Sequence, residues 1–356
     1  MHTVNPALTL PLAAALALAP AAHADGFQTT PLPPVSDPIG FAGAFVGICK
    51  GHLIAAGGAN FPDGVMPWDG GKKVWHDRLF ALDLTQSGAA WNAAGKLPSR
   101  NGYGVSLTAK EGILIIGGSD ENRHLADVHL MTLGENQQVH FRPLPSLPEP
   151  LAQMCGAIVG RKVHLCGGIV SPSATSASNQ HWILDLDAPA KGWSEAPPLP
   201  ATGRILATAA AVGNQFIIAG GCSLAPDSAG KATRTYLTDA WKFSGNEWSR
   251  LADLPRPSVA AASPAPVMGD SFFIVSGDDG KQAGIASPTL HKGFTREVLC
   301  HDVSNNTWAT VGDLTVPPPV TLPTAPWKNG TILFNGEVKP GVRTPQVFLF
   351  NPKTDD

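Results

Sequence analysis

A short phrase that recurs about six times along the chain limits what the chain can fold into. In each copy, a run of small and apolar residues leads to a glycine pair, a second strand follows, and an aromatic residue then introduces a proline-rich turn. The pairs, two of them degenerate, are Gly57-Gly58, Gly117-Gly118, Gly167-Gly168, Gly220-Gly221, Ser276-Gly277 and Asn335-Gly336. Adjacent copies lie roughly 50 to 60 residues apart, a period typical of propeller blades. A functional site is therefore expected on one face of a ring of blades.

Composition agrees with one large repeat domain. The 356 residues include 38 glycines and 33 prolines, as expected of many short strands joined by tight turns. Apolar residues make up 43% and are spread along the chain, which argues against disorder. The net charge of -3 gives no electrostatic reason to expect nucleic acid or an anionic membrane as a partner.

The second copy shows how one blade is read from its residues. Its strands are predicted at 102–107, 112–118, 127–133 and 139–143. The first two are nearly continuous apolar runs, which suits inner strands packed between neighbouring blades. Glycines after the second strand allow a sharp turn and a close approach of blades.

The aromatic of each outer strand gives the number of blades. The six aromatics that open a proline-rich phrase are Phe27, Trp91, Phe141, Trp193, Trp248 and Trp308. We expect them to be core residues between blades. Phe27 has no blade in front of it, and the last blade stops near Phe350 with no such phrase behind it. Residues 26–32 are therefore predicted to complete the last blade, which closes a six-bladed, all-β propeller of the kelch type over a single domain, 25–356.

The N-terminus has the pattern of a cleavable export signal. Residues 7–20 form an apolar, alanine- and leucine-rich run, and Ala22-His23-Ala24 matches a small-x-small cleavage site. A signal peptide over 1–24 would leave Asp25 as the first mature residue and make the protein periplasmic in a Gram-negative source. The alternative is a buried N-terminal helix. No later stretch is long enough to span a bilayer. For the oligomeric state we expect a monomer or homodimer.

The cysteine and histidine patterns give no sign of a metal site. The chain has no C-x-x-C, no H-E-x-x-H and no clustered histidines, so neither a metal nor another cofactor is expected. The five cysteines are an odd number for an oxidising compartment. Cys155 and Cys166 flank a hairpin and could face each other across strands; the alternative is that all five are small buried hydrophobic residues.

The segment 334–344 carries the first candidate site. Glu337 follows the second strand of the last blade, where other copies place glycine or small residues, and Lys339 and Arg343 lie close to it in sequence. A carboxylate at a channel mouth can act as a general base, and an arginine can bind an anionic substrate through two contacts. The alternative is a salt-bridged turn that fixes the loop.

Two further groups are candidates for substrate contacts. The loop 57–77 of the first blade is long and rich in asparagine, lysine, tryptophan and histidine, which suits a sugar, and Asn60 is its leading polar residue. The alternative is an ordered surface loop. Arg100 and Arg204 are interpreted as equivalent residues between blades, with Arg256 as a shifted relative. They would make the channel attract anions or, alternatively, pair with carbonyls at blade corners.

Three phrases resemble a known family. GFAGAFVGICKGHLIAAGGANFPDG, RNGYGVSLTAKEGILIIGG and FNGEVKPGVRT look like the kelch-type bacterial N-acetylneuraminate epimerases, or sialic acid mutarotases. They look most like the branch called cyclically permuted mutarotases, because here the N-G-E phrase comes last instead of mid-chain. The resemblance covers essentially the whole mature chain. It implies a six-bladed ring that acts on free sialic acid outside the cytoplasm, with Glu337 as the proton acceptor.

Mutarotation is general acid-base chemistry at the anomeric carbon. Glu337 would be the base, Lys339 or a bound water the acid, and Arg343, Arg100 or Arg204 would hold the sugar carboxylate. One alternative is a non-catalytic kelch module that binds a glycan or a protein, and another is a mutarotase for a different sugar. A copper radical enzyme of the galactose oxidase type needs two ligand tyrosines, one of them crosslinked to a cysteine, and two histidines. This interpretation is disfavoured, because the chain has only two tyrosines, Tyr103 and Tyr236.

Overall fold

The repeated phrase folds into six antiparallel sheets of four strands each. The computed structural model describes residues 24–136 and 138–354. The predicted export signal lies almost wholly outside these residues. Within them the helices are 3-10 turns of three residues at Pro67–Asp69, Pro189–Lys191 and Pro288–Leu290. None of the helices in this part of the chain has the length and apolar character needed to cross a membrane.

Blade 1 contains the first glycine pair, Gly57-Gly58, and the other blades follow in chain order. The strands of blades 1 to 3, preceded by the N-terminal strand, are β1 (Ala24–Leu32), β2 (Phe45–Cys49), β3 (His52–Ala56), β4 (Ala59–Asn60), β5 (Val74–Trp75), β6 (Arg78–Asp83), β7 (Asn92–Lys96), β8 (Val105–Ala109), β9 (Gly112–Ile116), β10 (Val128–Leu133), β11 (Val139–Leu144), β12 (Cys155–Val159), β13 (Lys162–Cys166), β14 (His181–Asp185) and β15 (Trp193–Ala196). The strands of blades 4 to 6 are β16 (Thr208–Val212), β17 (Gln215–Ala219), β18 (Cys222–Pro226), β19 (Ala232–Tyr236), β20 (Ala240–Ser244), β21 (Glu247–Arg250), β22 (Val267–Met268), β23 (Ser271–Val275), β24 (Glu297–Asp302), β25 (Thr307–Asp313), β26 (Thr324–Trp327), β27 (Gly330–Phe334), β28 (Glu337–Lys339), β29 (Val342–Arg343) and β30 (Val347–Thr354).

The N-terminal strand closes the ring, as predicted. Strand β1 pairs antiparallel with β30, so that blade 6 has the order β1-β30-β27-β26. Phe27 stacks on Phe350 with ring centroids 5.0 Å apart. Pro31 is tolerated because β1 is an edge strand, where a missing N–H breaks no further ladder. The six-bladed, all-β architecture is confirmed.

The outer-strand tryptophans link consecutive blades by one repeated contact. Each indole N–H donates to a carbonyl of the segment that follows the outer strand of the preceding blade. The pairs are Trp91 to Pro33 (2.8 Å), Trp193 to Pro145 (3.0 Å), Trp248 to Pro197 (2.8 Å) and Trp308 to Ala252 (2.9 Å). These rings fill the space between blades while their polar edge is satisfied. They are structural residues, as the sequence indicated.

A closed ring of six backbone hydrogen bonds surrounds one mouth of the channel. In every blade one residue donates its N–H to the carbonyl of the equivalent residue in the preceding blade, at 2.7 to 2.9 Å. The six residues are Gly43, Tyr103, Gln153, Leu206, Ala260 and Thr321, all with φ between 56° and 61°. This left-handed backbone is unfavourable for a β-branched residue such as Thr321. It also explains why β8 begins at Val105, after Tyr103, and not at the predicted residue 102.

All five cysteines are buried free thiols. Cys155 and Cys166 are paired across β12 and β13, so the predicted facing is correct. The Cys155 thiol nevertheless donates to the carbonyl of Cys166, at 3.6 Å. Burial raises the pKa of the Cys155 thiol to about 12. The cysteines therefore behave as small hydrophobic residues, which was the second interpretation.

Three buried histidines are expected to make the fold sensitive to acid. Burial lowers the pKa of His164 to about 4, of His181 to about 3 and of His301 to about 4, all from 6.5. The unfolded chain therefore binds more protons below pH 6.5, so stability falls as the pH drops from 6.5 towards 4. At pH 5 each histidine should lower the free energy of unfolding by about 2 kcal/mol.

Urea unfolding at pH 7.5 and pH 5.0 measures this loss. The single variants His301→Phe and His140→Gln form a matched pair, because His140 lies exposed on β11. The His301 variant should reduce the pH dependence of the free energy of unfolding, and the His140 variant should leave it unchanged. A free energy of unfolding equal at both pH values would contradict the assignment.

Candidate active site

Glu337 occupies one of six equivalent positions around the mouth. The residue after each glycine pair forms a backbone bridge to the residue just before the ring residue of its own blade. The six residues are Ala59, Ser119, Ile169, Cys222, Asp278 and Glu337. In blade 6 the bridge joins Glu337 to Val320, beside Thr321. Blades 5 and 6 therefore place two neighbouring carboxylates where the other blades place small, apolar or weakly polar side chains.

The Glu337 carboxylate is held by one hairpin. Strands β28 and β29 pair Glu337 with Arg343, whose guanidinium donates to Oε2. The other oxygen, Oε1, accepts the Gly341 N–H at 3.3 Å. The side chains of Arg343 and Glu337 are 4% and 20% exposed. Burial raises the pKa of Glu337, and Arg343 opposes that shift. Arg343 thus holds Oε2, while Oε1 has one backbone donor and a further lone pair that can accept a proton, as a general base requires.

The long loop of blade 1 packs against this hairpin. A side chain at Gly341 would clash with Met66, whose sulfur lies 2.6 Å from the position of a Cβ, and Trp68 is adjacent. Lys73 lies over the rings of Trp75 and Tyr103, with its nitrogen 4.3 and 4.8 Å from their centroids. Its charge also favours the ionised form of Glu337. The fold thus brings together two of the candidate segments predicted from the sequence, the segment 334–344 and the loop 57–77.

Asn60 supports this arrangement from inside the protein. Its amide donates to the carbonyl of Gly40 at 3.0 Å, and its Oδ1 lies 2.8 Å from His76 Nε2. The side chain is buried and both of its polar ends are used. Neighbouring Ala59 accepts from Nε of Arg343 at 3.4 Å, and the Phe61 ring lies under that guanidinium at 5.2 Å. Asn60 thus positions the loop that holds Arg343.

A cavity of about 320 Å³ opens beside Glu337 over blades 4 to 6. Its polar lining comes from Arg234, Tyr236, Asp278, Gln282, His291 and Glu337. Its apolar lining includes Phe294 and Val320. A cavity of this size with several converging polar groups is typical of small-molecule sites.

The arginines predicted between blades have structural partners. Arg204 is 1% exposed; it contacts both oxygens of Asp239, at 2.9 and 2.7 Å, and the carbonyl of Gly220. Arg256 contacts one carboxylate oxygen of Glu297, at 2.7 Å, and the carbonyls of Glu297 and Ser276. Both fit the alternative of blade-corner pairing.

Arg100 is not the equivalent of Arg204, so that alignment was wrong by one residue. The residue two before the ring residue is Arg204 in blade 4 and Asn101 in blade 2, and Asn101 donates to the carbonyl of Gly117 at 2.9 Å. Arg100 is consequently displaced to the surface, with its side chain 58% exposed and 3.5 Å from Glu121. Lys339 is also exposed, and it is absent from the cavity lining.

The sequence analysis did not identify five polar residues of the cavity: Arg234, Tyr236, Asp278, Gln282 and His291. Asp278 had a signal, because Ser276-Gly277-Asp278 aligns with Asn335-Gly336-Glu337 once the degenerate pairs are superposed. Arg234 and Tyr236 lie on the β18–β19 hairpin and His291 on the loop before β24, all inserted after a second strand. Such insertions follow no repeat. In residues 24–136 and 138–354, no three His, Cys, Asp or Glu side chains form a group that could hold a metal ion.

Comparison with known proteins agrees with the motifs. Residues 22–139 match the family model of N-acetylneuraminate epimerase. An N-acetylneuraminate epimerase of Yersinia pestis is 40% identical over 87 residues, which are 22% of this chain and 21% of that protein. N-acetylneuraminate epimerase 1 of Escherichia coli is 31% identical over 118 residues, 32% of each chain. The chain thus spans about a fifth to a third of the length of these curated relatives.

A solved structure of YjhT extends the comparison to the fold. It superposes with a TM-score of 0.68 over 90% of this chain and 97% of YjhT, at 17% identity. The match to the family model covers blade 1 and the first three strands of blade 2, and it does not reach Glu337. The predicted resemblance is therefore confirmed over residues 22–139, where this chain is similar in sequence to N-acetylneuraminate epimerases; beyond them it shares the fold of YjhT over nearly its whole length.

Proposed function

We propose that this protein is a mutarotase that interconverts the α and β anomers of free N-acetylneuraminate. The observation that carries the proposal is Glu337, a carboxylate with a burial-raised pKa that lines a cavity of sugar size at the channel mouth. The sequence similarity to N-acetylneuraminate epimerases supports the choice of reaction.

Glu337 moves one proton in this reaction. Oε2 is held by Arg343, and Oε1 takes the proton of the anomeric hydroxyl. The electron pair of that O–H bond forms the carbonyl, the bond from the anomeric carbon to the ring oxygen breaks, and Glu337 returns the proton to the ring oxygen. The carbonyl then rotates and the steps reverse on its other face. The cycle conserves every atom and electron, so no oxidant, reductant or group donor enters it.

We assign to His291 the stabilisation of the charge that develops on the ring oxygen. Its Nδ1 accepts the N–H of Gly293 at 3.1 Å, which selects the tautomer with its proton on Nε2. Gln282 fixes the same turn by contacts with Lys292 and Gly293, at 2.8 and 2.7 Å. The His291 ring lines the cavity with Glu337. A preorganised N–H donor can lower the barrier without transferring its proton.

Polarimetry on a panel of sugars tests this function. The mature protein should speed the approach to equilibrium optical rotation of N-acetylneuraminate and leave glucose and galactose unaffected. Acceleration of an aldose alone would favour a mutarotase for another sugar. Binding of N-acetylneuraminate without acceleration would favour a non-catalytic kelch module.

Arg343 should set the pH range of activity. Arg343→Gln removes the charge that opposes the raised pKa of Glu337, so that pKa should rise further. Glu337 must be ionised to accept a proton, and the acid limb of the pH–rate profile should therefore move to higher pH. Loss of a buried partner should also cost about 3 kcal/mol of stability. An unchanged acid limb in a folded variant would contradict the pairing as the control of Glu337.

We further propose that the chain is exported to a periplasm after removal of residues 1–24. The apolar run and the Ala22-His23-Ala24 site support this, and β1 begins at Ala24, next to the cleavage position. The candidate site is built from one chain, so a monomer or a homodimer would both be active. Osmotic-shock fractionation with N-terminal sequencing tests the export, which predicts Asp25 as the first residue.

A further inference from the structure

The hairpin of β18 and β19 brings an arginine to the cavity. Arg234 and Tyr236 are two residues apart on β19, so their side chains leave the strand on the same face. Their partners on β18 are Leu224 and Cys222. Leu224, Cys222 and Tyr236 pack in the apolar cluster at the mouth, with Ile205 and Val259 among others. This face of the hairpin is therefore turned towards the cavity, which both Arg234 and Tyr236 line.

Two of the three charged side chains that line the cavity have a hydrogen-bonding partner. Glu337 is bound by Arg343, and Asp278 accepts the Tyr236 hydroxyl at 2.7 Å. In the part of the chain that the structure describes, Arg234 has neither a carboxylate within ion-pair distance nor a hydrogen bond from its guanidinium. Arg204 and Arg256 are satisfied at blade corners. Arg234 is thus the guanidinium of this cavity that can bind a ligand.

We propose that Arg234 binds the carboxylate of the sugar acid and selects anionic sugars over neutral ones. The inference rests on the proposed function. In N-acetylneuraminate the anomeric carbon carries both the carboxylate and the hydroxyl, so base and anchor must converge on one carbon. Glu337 and Arg234 line the same cavity. Arg343 is committed to Glu337, whereas the planar fork of Arg234 is available for bidentate contact.

Binding measurements separate the charge from the rest of the sugar. Titration calorimetry of Arg234→Gln should show a dissociation constant for N-acetylneuraminate that is about 10 to 100 times higher than for the unaltered protein. The methyl ester of the same sugar, which lacks the charge, should bind both proteins alike. The dissociation constant of Arg234→Lys for the acid should lie between those of Arg234→Gln and the unaltered protein. Arg142→Gln, on exposed outer strand β11, is the matched control and should bind as the unaltered protein does.

The outcomes distinguish this inference from the proposed function. Equal losses for the acid and the ester, or no loss for either, would overturn the role of Arg234. If the unaltered protein binds the acid in an Arg234-dependent way but does not speed anomer exchange, the anchor stands and the mutarotase proposal falls. Failure of the unaltered protein to bind the acid would overturn both.

Discussion

Replacing Glu337 by glutamine is expected to abolish the acceleration of anomer exchange. Glutamine keeps the shape of the side chain and can still contact Arg343, but it cannot accept a proton. A positioned general base contributes about 10²- to 10⁴-fold, so turnover should fall by that factor. The substrate should still bind, because Arg234 and the apolar lining are unchanged. Stopped-flow polarimetry and titration calorimetry on the same preparation measure the two properties.

Glu297→Gln is the matched control for this variant. Glu297 also pairs with a largely buried arginine, Arg256, at 2.7 Å, but it lies at a blade corner and not at the cavity. Both variants remove one carboxylate charge from an arginine pair, so both should unfold at a lower temperature. Only the Glu337 variant should lose activity. Comparable activity losses in the two would show that weakened folding, and not proton transfer, explains the effect.

Deleting residues 25–32 is expected to open the ring. The deletion removes the fourth strand of blade 6, exposes the edge of β30 and takes Phe27 away from Phe350. Loss of the strand ladder and of two packed apolar side chains, Phe27 and Leu32, should cost roughly 5 to 10 kcal/mol. Since domains are stable by about 5 to 15 kcal/mol, most of the stability should disappear. Chemical unfolding monitored by tryptophan fluorescence measures the loss.

A peptide supplied in trans provides the control for the deletion. The peptide DGFQTTPL, residues 25–32, should restore stability by adding back as a strand, in the manner of β-augmentation. A scrambled peptide of the same composition should have no effect. If the truncated protein unfolds at the same denaturant concentration as the full chain, β1 does not close the ring.

The ring architecture was predictable because its signals repeat. Glycine pairs after the second strands and aromatics on the outer strands each recur once per blade, and an unmatched Phe27 phrase indicated the closing strand. Each of these residues meets a local structural requirement. The glycines allow a tight turn, the aromatics fill the space between blades, and the closing strand supplies hydrogen bonds to the edge of the last blade. The contact of Trp91 with Pro33 shows the same rule acting across the junction of the termini.

The hydrogen-bonded ring and the cavity could not be predicted in the same way. Gly43 shares its left-handed backbone with Tyr103, Gln153 and Thr321, so residue type gives no common signal. The error of one residue between Arg100 and Asn101 arose because the ring, which fixes the alignment of the blades, was invisible. Arg234 and His291 lie on insertions unique to their blades, whose positions depend on packing against the mouth.

Proton NMR of freshly dissolved, α-anomer-enriched N-acetylneuraminate tests the central claim most directly. Anomer signals should equilibrate faster with the mature protein than in buffer, and adding Glu337→Gln at the same concentration should leave the rate at the buffer value. Equilibration at the buffer rate with the unaltered protein, or equal acceleration by Glu337→Gln, would contradict a mutarotase built on Glu337.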